Sequence, residues 1–208
     1  MKIGVIQASS QIAKNEVLYK LTKEKSKQND VINFGCFEED EENYSYIEIS
    51  ILIGLLLSSK AIDFIVTGCS SGQGMMLACN NMPDVICGYI PTPQDAFLFG
   101  RINDGNAVSI PLGLNYGWSG EVNLGYILEA LFDLPFGIGY PVEDSKRKLE
   151  DTKMLKRINS LSKVSMVELL DSIDKSLVTK IMKNQKIIDY IIKNGNDKNL
   201  VKWIENNR

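Results

Sequence analysis

Short apolar runs alternate along the front of the chain with segments whose apolar residues recur at helical spacing. The runs are rich in β-branched residues and end at glycine or polar residues, which is typical of buried strands. They comprise residues 2–7, 31–34, 62–67, 85–90 and 107–110. The intervening segments predict helices over residues 12–25, 46–59, 75–79, 94–101 and 121–132. This alternation predicts an α/β fold, with a parallel sheet covered by helices on both faces.

The character of the chain changes after the segment Leu134–Pro141. Residues 145–208 are rich in lysine and asparagine, and their pattern predicts three helices. Ser165-Met-Val-Glu168 matches a capping box, and the isoleucines between residues 187 and 192 form one apolar stripe. Such a stripe is typical of packing, here against the sheet or against a second subunit. We therefore predict a sheet domain at residues 1–144 and a helical C-terminal extension at residues 145–208.

Composition excludes several classes of protein. No apolar run approaches the roughly 18 residues of a membrane span, and the chain opens directly on a strand-like run, which predicts no signal peptide. The four cysteines form no C-x-x-C pair, so we expect free thiols in a reducing, cytoplasmic setting. Residues 146–208 carry 15 basic against eight acidic side chains. These charges are spread at helical spacing with few aromatics, so nucleic-acid binding is not favoured.

The chain contains no histidine. This absence excludes Ser-His-Asp and Cys-His hydrolases, most zinc sites and every histidine general base. Gly68-Cys-Ser-Ser-Gly72 formally matches the G-x-S-x-G nucleophile elbow, but a triad cannot be completed without an imidazole. The glycines of residues 68–74 also do not spell G-x-G-x-x-G, and no lysine follows them as in a P-loop.

The stretch Gly68–Gly74 is the strongest candidate for a site. It places three glycines, two hydroxyls and Cys69 between a predicted strand and a predicted helix. The first N–H groups of a helix lack internal partners and carry partial positive charge, so they attract oxyanions and favour a thiolate. We predict that Cys69 moves protons at this loop. The alternative is a small buried hydrophobe, which is our interpretation of Cys79 and Cys87, while Cys36 stays open.

Asn103-Asp-Gly-Asn106 precedes the last predicted strand. These residues are common in turns. The alternative is that Asn103 presents its amide to a ligand at the same sheet edge as residues 68–74.

Three motifs together resemble the ribose-5-phosphate isomerase B and galactose-6-phosphate isomerase family. They are Cys69-x-Ser-Gly-x-Gly-Met75, then Ala78-x-Asn80-x-x-Pro83, then Asn103-Asp-x-Asn106 ahead of a strand. The resemblance implies a Rossmann-like αβα sandwich, a homodimer or dimer-based homotetramer, and aldose–ketose isomerisation without metal or cofactor.

By that resemblance the catalytic residues are Cys69, as the base between C1 and C2, and Ser71, in place of the family threonine. Gly72 and Gly74 would donate backbone N–H groups to the enediolate, and Asn103 matches the ligand-binding asparagine. Ser70 and Gln73, in the same loop, complete the substrate-binding candidates there. The chemistry agrees, because isomerisation needs a proton carrier and fixed donors for the developing oxyanion.

The chain departs from the family at three places. Gln7-Ala-Ser-Ser10 stands where the family has an Asp-His pair, and Ile102 replaces the ring-opening histidine. No arginine lies between Arg101 and Arg147, where the family's phosphate-binding arginines are expected. A phosphorylated, cyclic substrate is therefore disfavoured.

One branch of the family resembles the chain better, with its C-terminal helical extension and a G-Y-P segment. Its substrate is 4-deoxy-L-threo-5-hexosulose uronate, an open-chain carbonyl compound. Its carboxylate would be bound by backbone amides, by Ser9 and Ser10, or by a lysine of a neighbouring subunit. The alternatives are a ribose-5-phosphate or galactose-6-phosphate isomerase, and a non-catalytic sugar-binding relative.

Overall fold

The computed structural model describes residues 1–208 and contains one five-stranded sheet. Every strand pair is parallel, and the order across the sheet is β2-β1-β3-β5-β4. The strands are β1 (Lys2–Ile6), β2 (Asp30–Gly35), β3 (Phe64–Cys69), β4 (Cys87–Tyr89) and β5 (Ala107–Pro111). All five are predicted from the sequence, and the Rossmann-like sandwich is confirmed.

Helices connect the strands and cover both faces of the sheet. The helices of the sheet domain are α1 (Asn15–Lys25), α2 (Tyr46–Ser58), α3 (Gln73–Asn80), α4 (Pro93–Leu98) and α5 (Gly120–Phe132). Short 3₁₀ segments occupy Ser9–Lys14 and Val142–Asp144, and a π-turn follows α4 at Phe99–Asn103. The central strand β3 begins and ends two residues later than predicted. Cys69 is therefore its last residue and does not lie in the loop that follows.

The C-terminal part forms five helices, so the prediction of three was wrong. They are α6 (Ser145–Leu161), α7 (Met166–Ser172), α8 (Lys175–Met182), α9 (Gln185–Asn194) and α10 (Lys198–Asn207). Ser165, Asp174, Asn184 and Asp197 each accept a hydrogen bond from the first turn of the helix that follows. These closely spaced N-caps break what the apolar periodicity alone presents as longer helices.

Helix α2 lies inside the molecule, between the sheet and the C-terminal helices. Residues 49–58 are all buried, which fits a helix that is apolar on every side. One large cluster joins α2 to buried residues of α7–α10, among them Leu170, Ile187 and Ile204. The isoleucine stripe of α9 therefore packs against the sheet domain of its own chain.

The other face of the sheet is covered by α1, α4 and α5 around a second cluster, which includes Leu18, Ala96 and Leu128. None of the ten helices combines the length and the apolarity that a bilayer crossing requires.

Candidate active site

The turn between β3 and α3 is fixed in a conformation that only glycine adopts easily. Gly72 has φ +75°, and a Cβ on it would lie 2.8 Å from Tyr89 Cε2 and 2.9 Å from the backbone nitrogen of Pro111. Its carbonyl accepts a 2.6 Å hydrogen bond from the buried hydroxyl of Ser109. The turn is thus packed directly onto β5 and has little freedom to move.

The N-terminus of α3 has no side-chain cap, because Gly72 occupies the N-cap position. The amide of Gln73 donates a 3.4 Å hydrogen bond to the hydroxyl of Ser71. By contrast, the N-terminus of α2 is closed by a complete capping box of Ser45 and Glu48. The positive end of α3 is therefore the one that is open to a ligand.

A cleft of about 590 Å³ lies above this end of the sheet. Its walls come from the segments that follow β1, β2 and β3, including the first turns of α2 and α3, and from one residue of α8. The lining residues are Ala8, Ser9, Ser10, Asn43, Tyr44, Ser45, Tyr46, Cys69, Ser70, Ser71, Gly74 and Lys180. Cys69 is 8% exposed and is the only cysteine that lines the cleft.

Hydrogen bonds join the three loops around the cleft. The amide of Ser9 donates to the carbonyl of Tyr44 at 3.0 Å, and the amide of Tyr44 donates to the hydroxyl of Ser9 at 2.7 Å. Gln11 Nε2 donates to the hydroxyl of Ser70 at 2.8 Å. The loop after β1 therefore holds both the loop after β2 and the turn that carries Cys69.

A buried network of amides supports the loop after β1 from below. Gln7 donates from Nε2 to the carbonyl of Cys36 at 2.8 Å and accepts from Asn15 Nδ2 at 2.7 Å. Asn33 Nδ2 donates to Asn15 Oδ1 at 2.8 Å, while Asn33 Oδ1 accepts from the amide of Gly35. The three side chains satisfy one another, which is what burial of neutral polar groups requires.

Two titratable groups near the cleft are held in their neutral forms. Burial, with the carboxylates of Glu42 and Asp40 nearby, raises the pKa of Tyr44 to about 12. Burial also raises the pKa of Cys36, whose Sγ donates to the carbonyl of Gln7 at 3.2 Å. Cys36 is thus a buried thiol in the support of the cleft, whereas Cys79 and Cys87 lie in the core as predicted.

Lys180 is the one charged side chain among the lining residues. Its Nζ lies 2.8 Å from Glu48 Oε1 and 5.8 Å from the centroid of the Tyr44 ring. Burial would raise the pKa of Glu48, but hydrogen bonds from Lys180 and Ser45 outweigh it and lower that pKa. The carboxylate is therefore ionised, and the two groups form an ion pair at the edge of the cleft.

The structure brings together six of the nine residues predicted for the site. Ser9, Ser10, Cys69, Ser70, Ser71 and Gly74 all line the cleft. Gly72 lies just beneath it, packed on Tyr89 and Pro111. Gln73 is exposed and is not among the lining side chains.

Asn103 lies at the opposite end of the sheet, so the expectation of a shared edge does not hold within one chain. Cys69 pairs with Pro111 at the carboxyl end of β5, whereas Ala107 pairs with Ile65 at its amino end. Four residues of strand span about 13 Å, and Asn103 precedes Ala107 by a further turn. The physical reason is that α4 carries the chain back from the carboxyl end of β4 to the amino end of β5.

Several lining residues were not predicted from the sequence. Asn43, Tyr44 and Tyr46 follow an acidic loop with no motif of its own, and Ser45 shows only the capping-box pattern with Glu48. No sequence pattern distinguishes Lys180 from the many other lysines in residues 145–208. These residues reach the cleft through tertiary contacts that no local pattern encodes.

Comparison with known proteins gives a family match and several similar structures. The sequence profile of the Ribose/Galactose Isomerase family matches residues 3–118. A comparison with curated protein sequences gave no match.

Two solved structures resemble the chain over its full length. A 4-deoxy-L-threo-5-hexosulose-uronate ketol-isomerase complexed with a tartrate is 35% identical, with a TM-score of 0.94, and the match covers 100% of this chain and 99% of that one. A ribose-5-phosphate isomerase from Vibrio parahaemolyticus is 34% identical, with the same TM-score and the same coverage.

A more distant structure, the type B ribose 5-phosphate isomerase of Trypanosoma cruzi, shares the fold alone. It is 19% identical, with a TM-score of 0.65, and the match covers 78% of this chain and 98% of that one.

Proposed function

We propose, from the premise that this chain belongs to the ribose/galactose isomerase family and is a sugar isomerase, that it interconverts the aldose and ketose forms of an open-chain keto-uronate. The favoured substrate is 4-deoxy-L-threo-5-hexosulose uronate. The observation that carries the proposal is the position of Cys69, which lines a cleft beside the uncapped N-terminus of α3.

In the proposed reaction the thiolate of Cys69 removes the proton from C2 of the aldehyde. The electron pair of that C–H bond forms the C1=C2 double bond, and the carbonyl electrons move onto O1. The proton of the O2 hydroxyl moves to O1, and the electron pair left on O2 forms the C2=O2 carbonyl. The electron pair of the C1=C2 double bond then takes the proton back from the thiol and forms the new C1–H bond. No atom or electron is gained or lost, so the reaction needs neither a metal nor an external oxidant.

The negative charge that develops on the enediolate needs donors fixed in place beforehand. The backbone amides of Gly72 and Gly74, at the start of α3, are the proposed donors, with the hydroxyl of Ser71 beside them. The bond from Ser109 to Gly72 holds this turn rigid, so little reorganisation is needed when the charge appears.

The lining of the cleft favours a substrate that carries a carboxylate and no phosphate group. No arginine lies among the lining residues, although arginine is the usual partner of a phosphate group. Ile102 cannot protonate a ring oxygen, and an open-chain carbonyl compound does not require ring opening. The 35% identical ketol-isomerase was solved with a tartrate, a dicarboxylate with two adjacent hydroxyls, which is also consistent with an acidic substrate.

We further propose that two copies of the chain complete the site as a homodimer or a dimer-based homotetramer. Asn103 matches the family motif yet lies at the far end of its own sheet. It would contact substrate only in the cleft of a partner protomer. Exposed apolar side chains such as Trp118 and Tyr126 give the chain a surface that a partner would cover.

Ribose 5-phosphate is the second candidate substrate, because the 34% identical protein from Vibrio parahaemolyticus is a ribose-5-phosphate isomerase. Incubation with each compound in deuterated water distinguishes the two. Deuterium incorporated next to the carbonyl of only the keto-uronate supports the proposal, and incorporation into ribose 5-phosphate alone contradicts it. Incorporation into neither compound indicates a non-catalytic sugar-binding protein.

The role of Cys69 is tested by Cys69→Ser, with Cys36→Ser as the matched control. Both substitutions replace a buried thiol by a hydroxyl, but only Cys69 lines the cleft. A hydroxyl is a far weaker acid than a thiol, so we expect kcat to fall roughly 10²- to 10⁴-fold in Cys69→Ser. Turnover by Cys36→Ser should stay close to that of the unchanged protein. Equal turnover in the two variants excludes Cys69 as the base.

A further inference from the structure

We propose that Lys180 binds the carboxylate of the substrate, which makes the C-terminal extension a part of the substrate site. The inference rests on the proposed function, because it names the residue that recognises the acid group. It also replaces the lysine of a neighbouring subunit considered above with a residue of the same chain.

The electrostatics of the cleft favour this assignment. Lys180 is the only charged side chain in the lining, and no carboxylate lines the cleft. The uncapped end of α3, whose Gly74 also lines the cleft, adds partial positive charge. The favoured substrate carries its reacting aldehyde and its carboxylate at opposite ends of a six-carbon chain. Cys69 and Lys180 provide one partner for each end within the same cleft.

Glu48 holds Lys180 in place without using all of its donors. The Glu48 side chain is 13% exposed and the Lys180 side chain is 32% exposed, so the carboxylate binds the ammonium from its buried side. An ammonium has three N–H donors, and Glu48 Oε1 accepts from Nζ at 2.8 Å. The remaining donors are available to a ligand in the cleft. A cation fixed in this way loses little side-chain freedom when it binds an anion.

A single lysine discriminates between carboxylate and phosphate. The carboxylate of Glu48 balances its charge, so a ligand is held by the remaining N–H donors of Lys180 and by the partial positive charge at the start of α3, which suits one negative charge better than two. A phosphate ester is close to dianionic at neutral pH and is usually bound by several donors, often an arginine fork. The site around Lys180 therefore suits a monoanionic carboxylate.

Lys183 provides an internal control for a merely structural role. It directly follows the last residue of α8, about one turn after Lys180, and its Nζ is 2.6 Å from Glu42 Oε1. Lys180 attaches α8 to the first turn of α2, and Lys183 attaches the end of α8 to the segment between β2 and α2. Lys183 is not among the residues that line the cleft. Lys183→Met removes an attachment of the same kind without removing charge from the cleft.

The first test compares steady-state kinetics of the keto-uronate in Lys180→Met, Lys180→Arg and Lys183→Met. A charge-assisted contact present in both ground and transition states raises KM when it is removed. We expect KM to rise roughly tenfold to hundredfold in Lys180→Met, with a much smaller change in kcat. Lys180→Arg should restore most of the affinity, and Lys183→Met should leave KM unchanged. Equal KM values in Lys180→Met and Lys183→Met would overturn the inference.

The second test measures binding directly and does not depend on turnover. Calorimetric titration with D-glucuronate and with D-glucose compares an acid with its neutral counterpart. Lys180→Met should lose affinity for glucuronate only, and this result supports the inference even if the keto-uronate is not the substrate. Glucuronate binding that is identical in Lys180→Met and the unchanged protein overturns it, whatever the substrate. Failure of the proposed function is recognised separately, as no deuterium uptake by the keto-uronate.

The variant Lys180→Met leaves Glu48 without its partner, so a loss of fold has to be distinguished from a loss of binding. The double variant Lys180→Met/Glu48→Gln removes both charges and retains a polar group at residue 48. It should melt close to the unchanged protein and still show the raised KM. A double variant with the original KM would also refute the role of Lys180.

Discussion

One methyl group added at two nearby glycines should have opposite effects on stability. At Gly72, φ is +75°, and the new Cβ would lie 2.9 Å from the backbone nitrogen of Pro111, an atom that cannot rotate away. At Gly74, φ is not positive, and the new Cβ would lie 3.6 Å from Tyr46 Cε2, an ordinary contact across the cleft. The two substitutions are chemically identical and two residues apart.

The free energies follow from these geometries. A left-handed backbone costs an L-residue about 1–2 kcal/mol, and crowding in a packed region adds about 1–3 kcal/mol. Gly72→Ala should therefore lower the free energy of unfolding by about 2–5 kcal/mol. Gly74→Ala places alanine in a helix and should raise it by about 0.5–1 kcal/mol. With about 2–4 °C of melting temperature per kcal/mol in a chain of this size, the changes are measurable by calorimetry.

Measurements of turnover distinguish Gly74, which lines the cleft, from a helical glycine that lies away from it. The methyl group of Gly74→Ala projects towards Tyr46 in the cleft, so we expect turnover of the substrate to fall although the protein is more stable. Gly125→Ala is the matched control, since the new Cβ in α5 would meet only Lys25 Cε, at 3.9 Å. It should stabilise to a similar degree and leave turnover unchanged.

Two results would refute this reasoning. Gly72→Ala with an unchanged melting temperature would show that the turn does not need glycine. Gly74→Ala and Gly125→Ala with equal turnover would show that the first turn of α3 does not face the substrate.

Two further predictions concern pH and assembly. The pKa of Tyr44 is raised to about 12 in the folded protein, so between pH 10 and pH 12 the phenol of the unfolded chain loses its proton while that of the folded protein keeps it. The contribution of Tyr44 to the free energy of unfolding is therefore complete below pH 10 and is lost as the pH rises towards 12. Urea unfolding at several pH values in this window should show that the free energy of unfolding falls less in Tyr44→Phe than in the unchanged protein, by an amount on the order of 2–3 kcal/mol. Parallel plots of that free energy against pH for the two proteins would contradict the assignment. If Asn103 acts in the partner's cleft, a co-expressed heterodimer of Cys69→Ser and Asn103→Ala protomers should recover about half of the unmodified turnover, because one of its two symmetry-related sites is intact. A heterodimer as inactive as its parents would contradict a contribution of Asn103 across the interface, and an Asn103→Ala homodimer with unchanged turnover would place Asn103 outside the site.

The strand-turn-helix unit around Cys69 could be predicted from the sequence because its signals are local. A β-branched run, a glycine turn and a helix stop lie within about twenty residues, and each has a conformational cause. The position of Asn103 could not be predicted in this way. Its motif shows a turn before a strand, but which end of the sheet that turn occupies depends on the path of α4.

Asn80 shows a different limit. It belongs to the motif that the chain shares with the family, yet its side chain bonds the backbone of β4. Asn80 Nδ2 donates to the carbonyl of Cys87 at 2.8 Å, and Asn80 Oδ1 accepts from the amide of Cys87 at 2.9 Å. A motif residue next to an active-site loop can thus serve only to attach the edge strand. Sequence spacing does not distinguish the two roles.

The two ion pairs that attach the α8 region to α2 and to the segment before α2 also bear on the order in which the fold can form during synthesis. Glu48 and Lys180 are 132 residues apart in the chain, and Glu42 and Lys183 are 141 apart. At a synthesis rate of roughly 5–20 residues per second, Lys180 leaves the ribosome roughly 7–26 seconds after Glu48. During that interval the sheet can form, while one wall of the cleft is still missing. A prematurely terminated chain could therefore resemble the native fold by its strands and yet be unable to select its sugar.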